Sequence, residues 1–250
     1  MSSIPQFTIP LSTLDKQIRT HALLCSIGFI ILLPLGALVA RSTRTFFRGW
    51  FWTHALIQFI IAGPVIFAGW YYGYKTTETL NTGGHFVDPH KKTGLALLIM
   101  YLLQLAGGVI IHYFKTPSLF KGHRPPQNYF HAILGLAIIA LAFYQVHYGI
   151  VTEWYEGTGD GTFVVPAAMH AWEALVVVFW VLYVAGLALL PRQYKQEAAY
   201  RRVIKDDYRD LRDILTSVNM YMPLLTNAEQ SYYKTNTNIY LEDRKKQPDR

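Results

Sequence analysis

Five long apolar stretches, four of them without a single Asp, Glu, Lys or Arg, decide what this chain can fold into. They run over Ala22–Ala40, Gly49–Tyr74, Thr93–Phe114, Asn128–Thr152 and Val164–Leu190, and only the last holds a charge, Glu173. Each comes close to or exceeds the roughly 20 residues, at about 1.5 Å apiece, that a helix needs to cross a bilayer. In hydrocarbon every backbone N–H and C=O must find its partner inside the protein, which leaves helices for segments of this length. The chain is therefore expected to be all-α: an integral membrane bundle of five transmembrane helices, with a polar, partly helical C-terminal tail. Pro34, Pro64 and Pro166 fall within these stretches, where membrane helices tolerate them. Trp50, Phe51, Trp52 and Trp70, Tyr71, Tyr72 gather at stretch ends, as interfacial aromatics do.

Charge fixes an expected orientation. Arg41, Arg44 and Arg48 follow the first stretch, Lys115, Lys121 and Arg124 follow the third, and the tail after the fifth carries 12 of the 23 basic residues. Alternating spans put all of these on one side, which the positive-inside rule makes cytosolic. Lys16, Arg19, Lys75, Lys91 and Lys92 share the other side with six acids, among them Glu153, Glu156 and Asp160. The N-terminus is thus expected outside or in a lumen and the C-terminus in the cytosol, of a plasma membrane or an endomembrane. The net charge of +7 follows this topology and does not point to nucleic acid. Residues 1–20 lack the apolar core of a signal peptide and read as an outer segment. The single cysteine, Cys25, rules out an intrachain disulfide and reads as a small apolar side chain. In the tail, 191–250, the positions Ile204, Tyr208, Leu211, Leu215 and Val218 recur at helical spacing, which predicts an amphipathic helix on the membrane surface; 226–250 reads as disordered.

Histidines mark the membrane-depth chemistry, since an ionisable side chain there is costly. His21 and His90 open the first and third stretches at the outer level. His54 and His131 open the second and fourth at the inner level. Two imidazoles from different helices can hold one iron from both sides, and helix bundles build such sites from facing side chains. By depth alone His147 or His170 competes for the outer level and His112 for the inner one. His85 and His123 fall in loops. His90 and His131 are each followed four residues on by a glycine, Gly94 and Gly135, which leaves room on that face for a flat macrocycle or a close helix. His170 and Glu173 share a face at the outer end of the fifth stretch.

The runs HALLCSIGFIILLPLGALVAR (21–41), FWTHALIQ (51–58), HKKTGLALLIMYLLQ (90–104) and FHAILGLAIIALAF (130–143) resemble, in order, the four core helices of the cytochrome b561 domain, over residues 21–190 in all. The likeness is to the type found beside DOMON domains. The resemblance implies two b-type haems with His21 paired to His90 and His54 to His131. It also implies transmembrane electron transfer, from a donor such as ascorbate to monodehydroascorbate, ferric iron or a redox partner on the opposite face. There are departures. The chain has five spans where many members have six, Leu136 stands where the family often has Arg, and no DOMON domain precedes the first span. An outer haem-domain partner is then expected as a separate chain; a homodimer is compatible.

Arg19, Lys91 and Lys92 outside, and Arg41, Arg44 and Arg48 inside, are candidates for holding carboxylates of a cofactor or an anionic substrate. Membrane anchoring and snorkelling explain the same residues. Two rival functions remain: a cofactor-free transporter whose histidines shuttle protons, and a scaffold acting through its basic tail. No paired nucleophile and base appears in the loops, which argues against hydrolytic chemistry.

Overall fold

The structure, a computed structural model, describes residues 12–80, 84–114, 125–155, 164–224, 226–227 and 229–231. The loops that carry Lys115, Lys121, His123, Arg124, Glu156 and Asp160 lie outside the described residues. Five helices are long and apolar enough to cross a membrane: Thr13–Thr43, Trp50–Leu80, Pro89–Tyr113, Pro126–Glu153 and Pro166–Leu187. All described elements are helical, so the expected all-α membrane bundle is what the chain forms.

The first and third helices begin ahead of the apolar stretches, because local polar chemistry starts the backbone earlier. Ser12 accepts from the Asp15 amide while the Asp15 carboxylate takes the Ser12 N–H, a reciprocal cap that starts the first helix ahead of its apolar part. Asp88 caps the third helix, its carboxylate accepting from the Lys91 amide at 2.8 Å, with Pro89 in the first turn, where a missing N–H costs nothing.

The first two helices share an irregularity with a single cause. Each widens into a π-helical segment just ahead of its proline: Ile27–Leu32 before Pro34 and Leu56–Ala62 before Pro64. Proline offers no N–H to the carbonyl four residues back and its ring crowds that carbonyl, so the register loosens there. The hydroxyl of Tyr101, from the third helix, donates to the Gln58 carbonyl within the second of these segments at 2.6 Å.

The first helix packs along the second and the third along the fourth, while the fifth leans on the C-terminal half of the first and buries least. The shared core includes Phe29, Ile66, Leu97, Tyr101, Ile139 and Phe143. The first two helices close to contact at Gly28, where a Cβ would stand 2.6 Å from Ile66 Cγ1. Arg41 donates from Nε and Nη2 to the Gly186 carbonyl at 3.1 and 3.0 Å, tying the C-terminal end of the fifth helix to the first.

The chain divides into two compact units after Gln193. The second includes most of a long helix, Leu190–Tyr221, where the tail's periodicity predicted one. The side chains of Ile204, Tyr208, Leu211, Leu215 and Val218 lie outside the described residues. Of the segment read as disordered, 226–227 and 229–231 are described. Thr226 N–H and Oγ1 donate to Glu229 at 2.9 and 2.7 Å, opening a helical turn; residues 232–250 lie outside the described set.

Candidate functional site: two crossed histidine pairs

The bundle brings His21 to His90 and His54 to His131. The ring centres stand 6.1 and 6.4 Å apart, and both pairs of ring planes cross at 79°. A metal–imidazole bond of about 2 Å, plus about 1.1 Å from nitrogen to ring centre, puts two imidazoles in line on one ion about 6.3 Å apart. Both pairs have that spacing. Among the described residues no group of three or more His, Cys, Asp or Glu could hold a metal ion. A donor set of two opposed imidazoles suits an iron whose other four ligands come from a macrocycle. The residues present therefore fit a haem at each level.

The neighbours of these rings settle which nitrogen is free in two cases. His21 Nδ1 lies 2.8 Å from the Gly69 carbonyl, and His54 Nδ1 lies 2.8 Å from the Gly36 carbonyl. A carbonyl only accepts, so Nδ1 carries the proton and the lone pair remains on Nε2, the nitrogen a metal would take. The arrangement is reciprocal. His21 is on the first helix and bonds to the second; His54 is on the second and bonds to the first. Each histidine is followed 15 positions on by the glycine that serves the other, His21 by Gly36 and His54 by Gly69. At helical rise the two levels lie about 22 Å apart.

The third and fourth helices cross in the same way through glutamines. Gln145 Nε2 donates to the His90 carbonyl at 2.7 Å and lies 3.0 Å from His90 Nδ1. Gln104 Nε2 donates to the His131 carbonyl at 2.7 Å, while His131 Nδ1 is buried with no hydrogen-bond partner among the described residues. Gly135 makes this reach possible at His131, and Gly94 leaves spare room at His90. A Cβ on Gly135 would stand 2.8 Å from Gln104 Nε2, and one on Gly94 would stand 3.6 Å from Gln145 Nε2. The space over Gly94 and Gly135, expected to admit a macrocycle or a close helix, thus receives a glutamine amide. Other glycines sit beside the rings: a Cβ on Gly108 would lie 3.3 Å from His131 Cε1, one on Gly149 3.3 Å from His90 Cε1, and one on Gly73 2.7 Å from His21 Nδ1.

These glutamines are functional candidates that the reading of single residues passed over. A signal was present. Residues 90–108 and 131–149 repeat the pattern H-x3-G-x9-Q-x3-G, with His90, Gly94, Gln104, Gly108 answering to His131, Gly135, Gln145, Gly149.

The competing histidines are placed elsewhere. His112 stacks on Phe51 with centres 3.9 Å apart, His147 lies 4.7 Å from the Trp172 ring, and His85 stacks on Tyr74 at 3.9 Å. His170 Nδ1 meets Glu173 at 3.3 Å on an exposed face. Several of the candidate cations have partners in the protein: Arg41 at Gly186, Arg44 over the Trp50 ring, Arg19 over the Trp154 ring, and Lys91 with Asp88 at 2.8 Å. Partial burial pushes the Asp88 carboxyl up, but the Lys91 side chain and amide outweigh it and hold it below its ordinary range. Cys25 packs against the core, with Sγ 3.6 Å from His21 Nδ1.

Residues 20–156 match the family described as eukaryotic cytochrome b561. Three similar relatives are cytochrome b561 and DOMON domain-containing proteins of Arabidopsis thaliana. One is 28% identical over 162 residues, which is 62% of this chain and 41% of that protein. A second is 29% identical over 136 residues, 54% of this chain and 31% of its own length. A third is 29% identical over 142 residues, 56% and 33% of the respective lengths. The chain spans less than half the length of these curated relatives.

Proposed function

The chain belongs to the eukaryotic cytochrome b561 family, and from that premise we propose that it carries electrons across a membrane through two b-type haems, one held by His21 and His90, the other by His54 and His131. The observation that carries this reading is the pair of opposed imidazoles at each of two levels, 6.1 and 6.4 Å apart, on helices apolar enough to span a bilayer. A haem with two histidine ligands supplies one-electron iron chemistry with no open coordination position when bound.

The chain's own contribution is to hold and orient. The Gly69 and Gly36 carbonyls fix the tautomer and rotation of His21 and His54, and the Nδ1–H bonds raise the donor strength of both rings. Apolar helix surface around the two levels keeps water from the centres. The donor is a small reductant such as ascorbate, which becomes monodehydroascorbate on losing one electron and a proton. The acceptor on the opposite face is monodehydroascorbate, ferric iron or a redox protein, with a separate haem-domain protein fitting the outer side. The positive-inside distribution supports an outer or luminal N-terminus and a cytosolic tail.

A reduced-minus-oxidised spectrum with haem quantitation on the purified full chain tests this. Two haems per chain are expected, with one lost in His90→Ala and the other in His131→Ala. A colourless preparation would refute the reading and leave the two rivals, a cofactor-free transporter and a scaffold acting through its basic tail. Loss of a haem in His147→Ala but not in His90→Ala would refute the ligand assignment.

A further inference from the structure

We propose that Gln145 and Gln104 are positioning residues that tune the two histidine centres separately, Gln145 acting on the His21/His90 centre and Gln104 on the His54/His131 centre. The inference rests on the haem reading above and goes beyond it by assigning a role to residues that are not ligands.

Three observations carry it. First, each amide binds the main-chain carbonyl of a paired histidine, at 2.7 Å in both cases. In a regular helix that carbonyl already accepts from the amide four residues on, here that of Gly94 or Gly135. At His131 a second donor reaches it only because glycine leaves that face open, a Cβ on Gly135 standing 2.8 Å from Gln104 Nε2; at His90 a Cβ on Gly94 would be in ordinary contact at 3.6 Å. Gly135 and Gln104 are thus two halves of one device. Second, both glutamines lie among membrane-spanning helices, where an amide has no water to turn to, and each spends its nitrogen on the histidine of the facing helix. Third, the pattern occurs twice, at identical spacing in residues 90–108 and 131–149. A lone buried glutamine reads as a helix-to-helix hydrogen bond; two that each select a paired histidine read as supports for those side chains.

The two copies differ in one respect. Gln145 Nε2 also faces His90 Nδ1 at 3.0 Å, whereas His131 Nδ1 has no hydrogen-bond partner among the described residues. An amide N–H only donates, so this contact favours a lone pair on His90 Nδ1, whereas the Gly69 and Gly36 carbonyls favour Nδ1–H on His21 and His54; the two kinds of contact act on ring basicity in opposite directions. Gln145 therefore touches both the backbone and the ring of its histidine, and Gln104 only the backbone. The inequality places the larger effect at the His21/His90 centre.

The test uses the full chain in detergent, with haem bound as isolated. His90→Ala and His131→Ala first assign the two low-spin EPR signals and the two midpoint potentials. Absence of haem from the unaltered chain would refute the underlying reading before any glutamine is changed. Gln145→Leu is expected to shift the signal and potential assigned to His21/His90, leave the other centre in place, and speed haem loss from the affected centre about ten-fold or more. Gln104→Leu is expected to do the converse, with a smaller shift. If a leucine variant does not fold, Gly135→Ala decides, because it displaces the Gln104 amide while keeping it, and should move only the His54/His131 signal. Unshifted signals in haem-replete variants, or equal shifts at both centres from one substitution, would overturn the proposal.

Discussion

Gly94 and Gly135 occupy the same place in two copies of one motif, yet alanine should affect them in opposite directions. At Gly135 the new methyl would stand 2.8 Å from Gln104 Nε2, closer than such contacts occur, so the amide must withdraw from the His131 carbonyl. Losing that hydrogen bond costs about 0.5–1.5 kcal/mol, and a buried donor left without a partner raises the cost to about 1–3 kcal/mol. Alanine returns about 0.5–1 kcal/mol of helix preference. Gly135→Ala should therefore destabilise the chain by about 1–2 kcal/mol. At Gly94 the methyl would lie 3.6 Å from Gln145 Nε2, ordinary contact, so Gly94→Ala keeps the hydrogen bond and retains the helix gain, up to about 1 kcal/mol. The two variants should differ by about 2 kcal/mol, or about 4–8 °C in Tm for a chain of this size. Thermal unfolding of both in one detergent, followed by tryptophan fluorescence, makes the comparison without reference to any cofactor. Equal Tm values, or the reverse order, would show that the glycines do not make room for the glutamines as described.

Gly73→Ala puts a methyl 2.7 Å from His21 Nδ1, a ring held in place by the Gly69 carbonyl, and should lower haem occupancy at the His21/His90 centre only, read from the spectrum against His90→Ala. Arg41→Ala removes two charged hydrogen bonds to the Gly186 carbonyl and should cost about 1.5–3 kcal/mol, with proteolysis near the C-terminal end of the fifth helix as the readout; Arg41→Lys, with a single point donor, should restore only part. Asp88→Ala removes a helix cap worth about 1 kcal/mol. Because its folded carboxyl titrates below the ordinary range, that contribution is complete above about pH 4 and is lost as the pH falls through the folded value. The stability difference between wild type and Asp88→Ala should therefore be constant near neutrality and close in acid.

The number of spans and the alternation of histidine depth could be read from sequence because both follow from the thickness of a bilayer and the rise of a helix. Other features could not. The starts at Thr13 and Pro89 depend on Ser12 and Asp88 as caps, which lie outside the apolar stretches. Pro34 and Pro64 signal a distortion, but not that the ladder would widen ahead of them. Arg41 read as a candidate for a cofactor carboxylate because a sequence does not show that the Gly186 carbonyl, in a distant segment, lies within reach. Gln104 and Gln145 drew no reading, since one glutamine alone has no visible partner. Only the alignment of two segments with each other exposes them.

The crossed anchoring has a mechanical consequence. Each member of a helix pair fastens the other's histidine at the far end of the bundle, so neither rod can slide without loosening the grip at both membrane faces at once. A slip of one residue is about 1.5 Å along the axis, enough to break a 2.7 or 2.8 Å contact at each end. A push that bends side chains at one face can stay there, but one that translates a rod is felt on the opposite side of the bilayer.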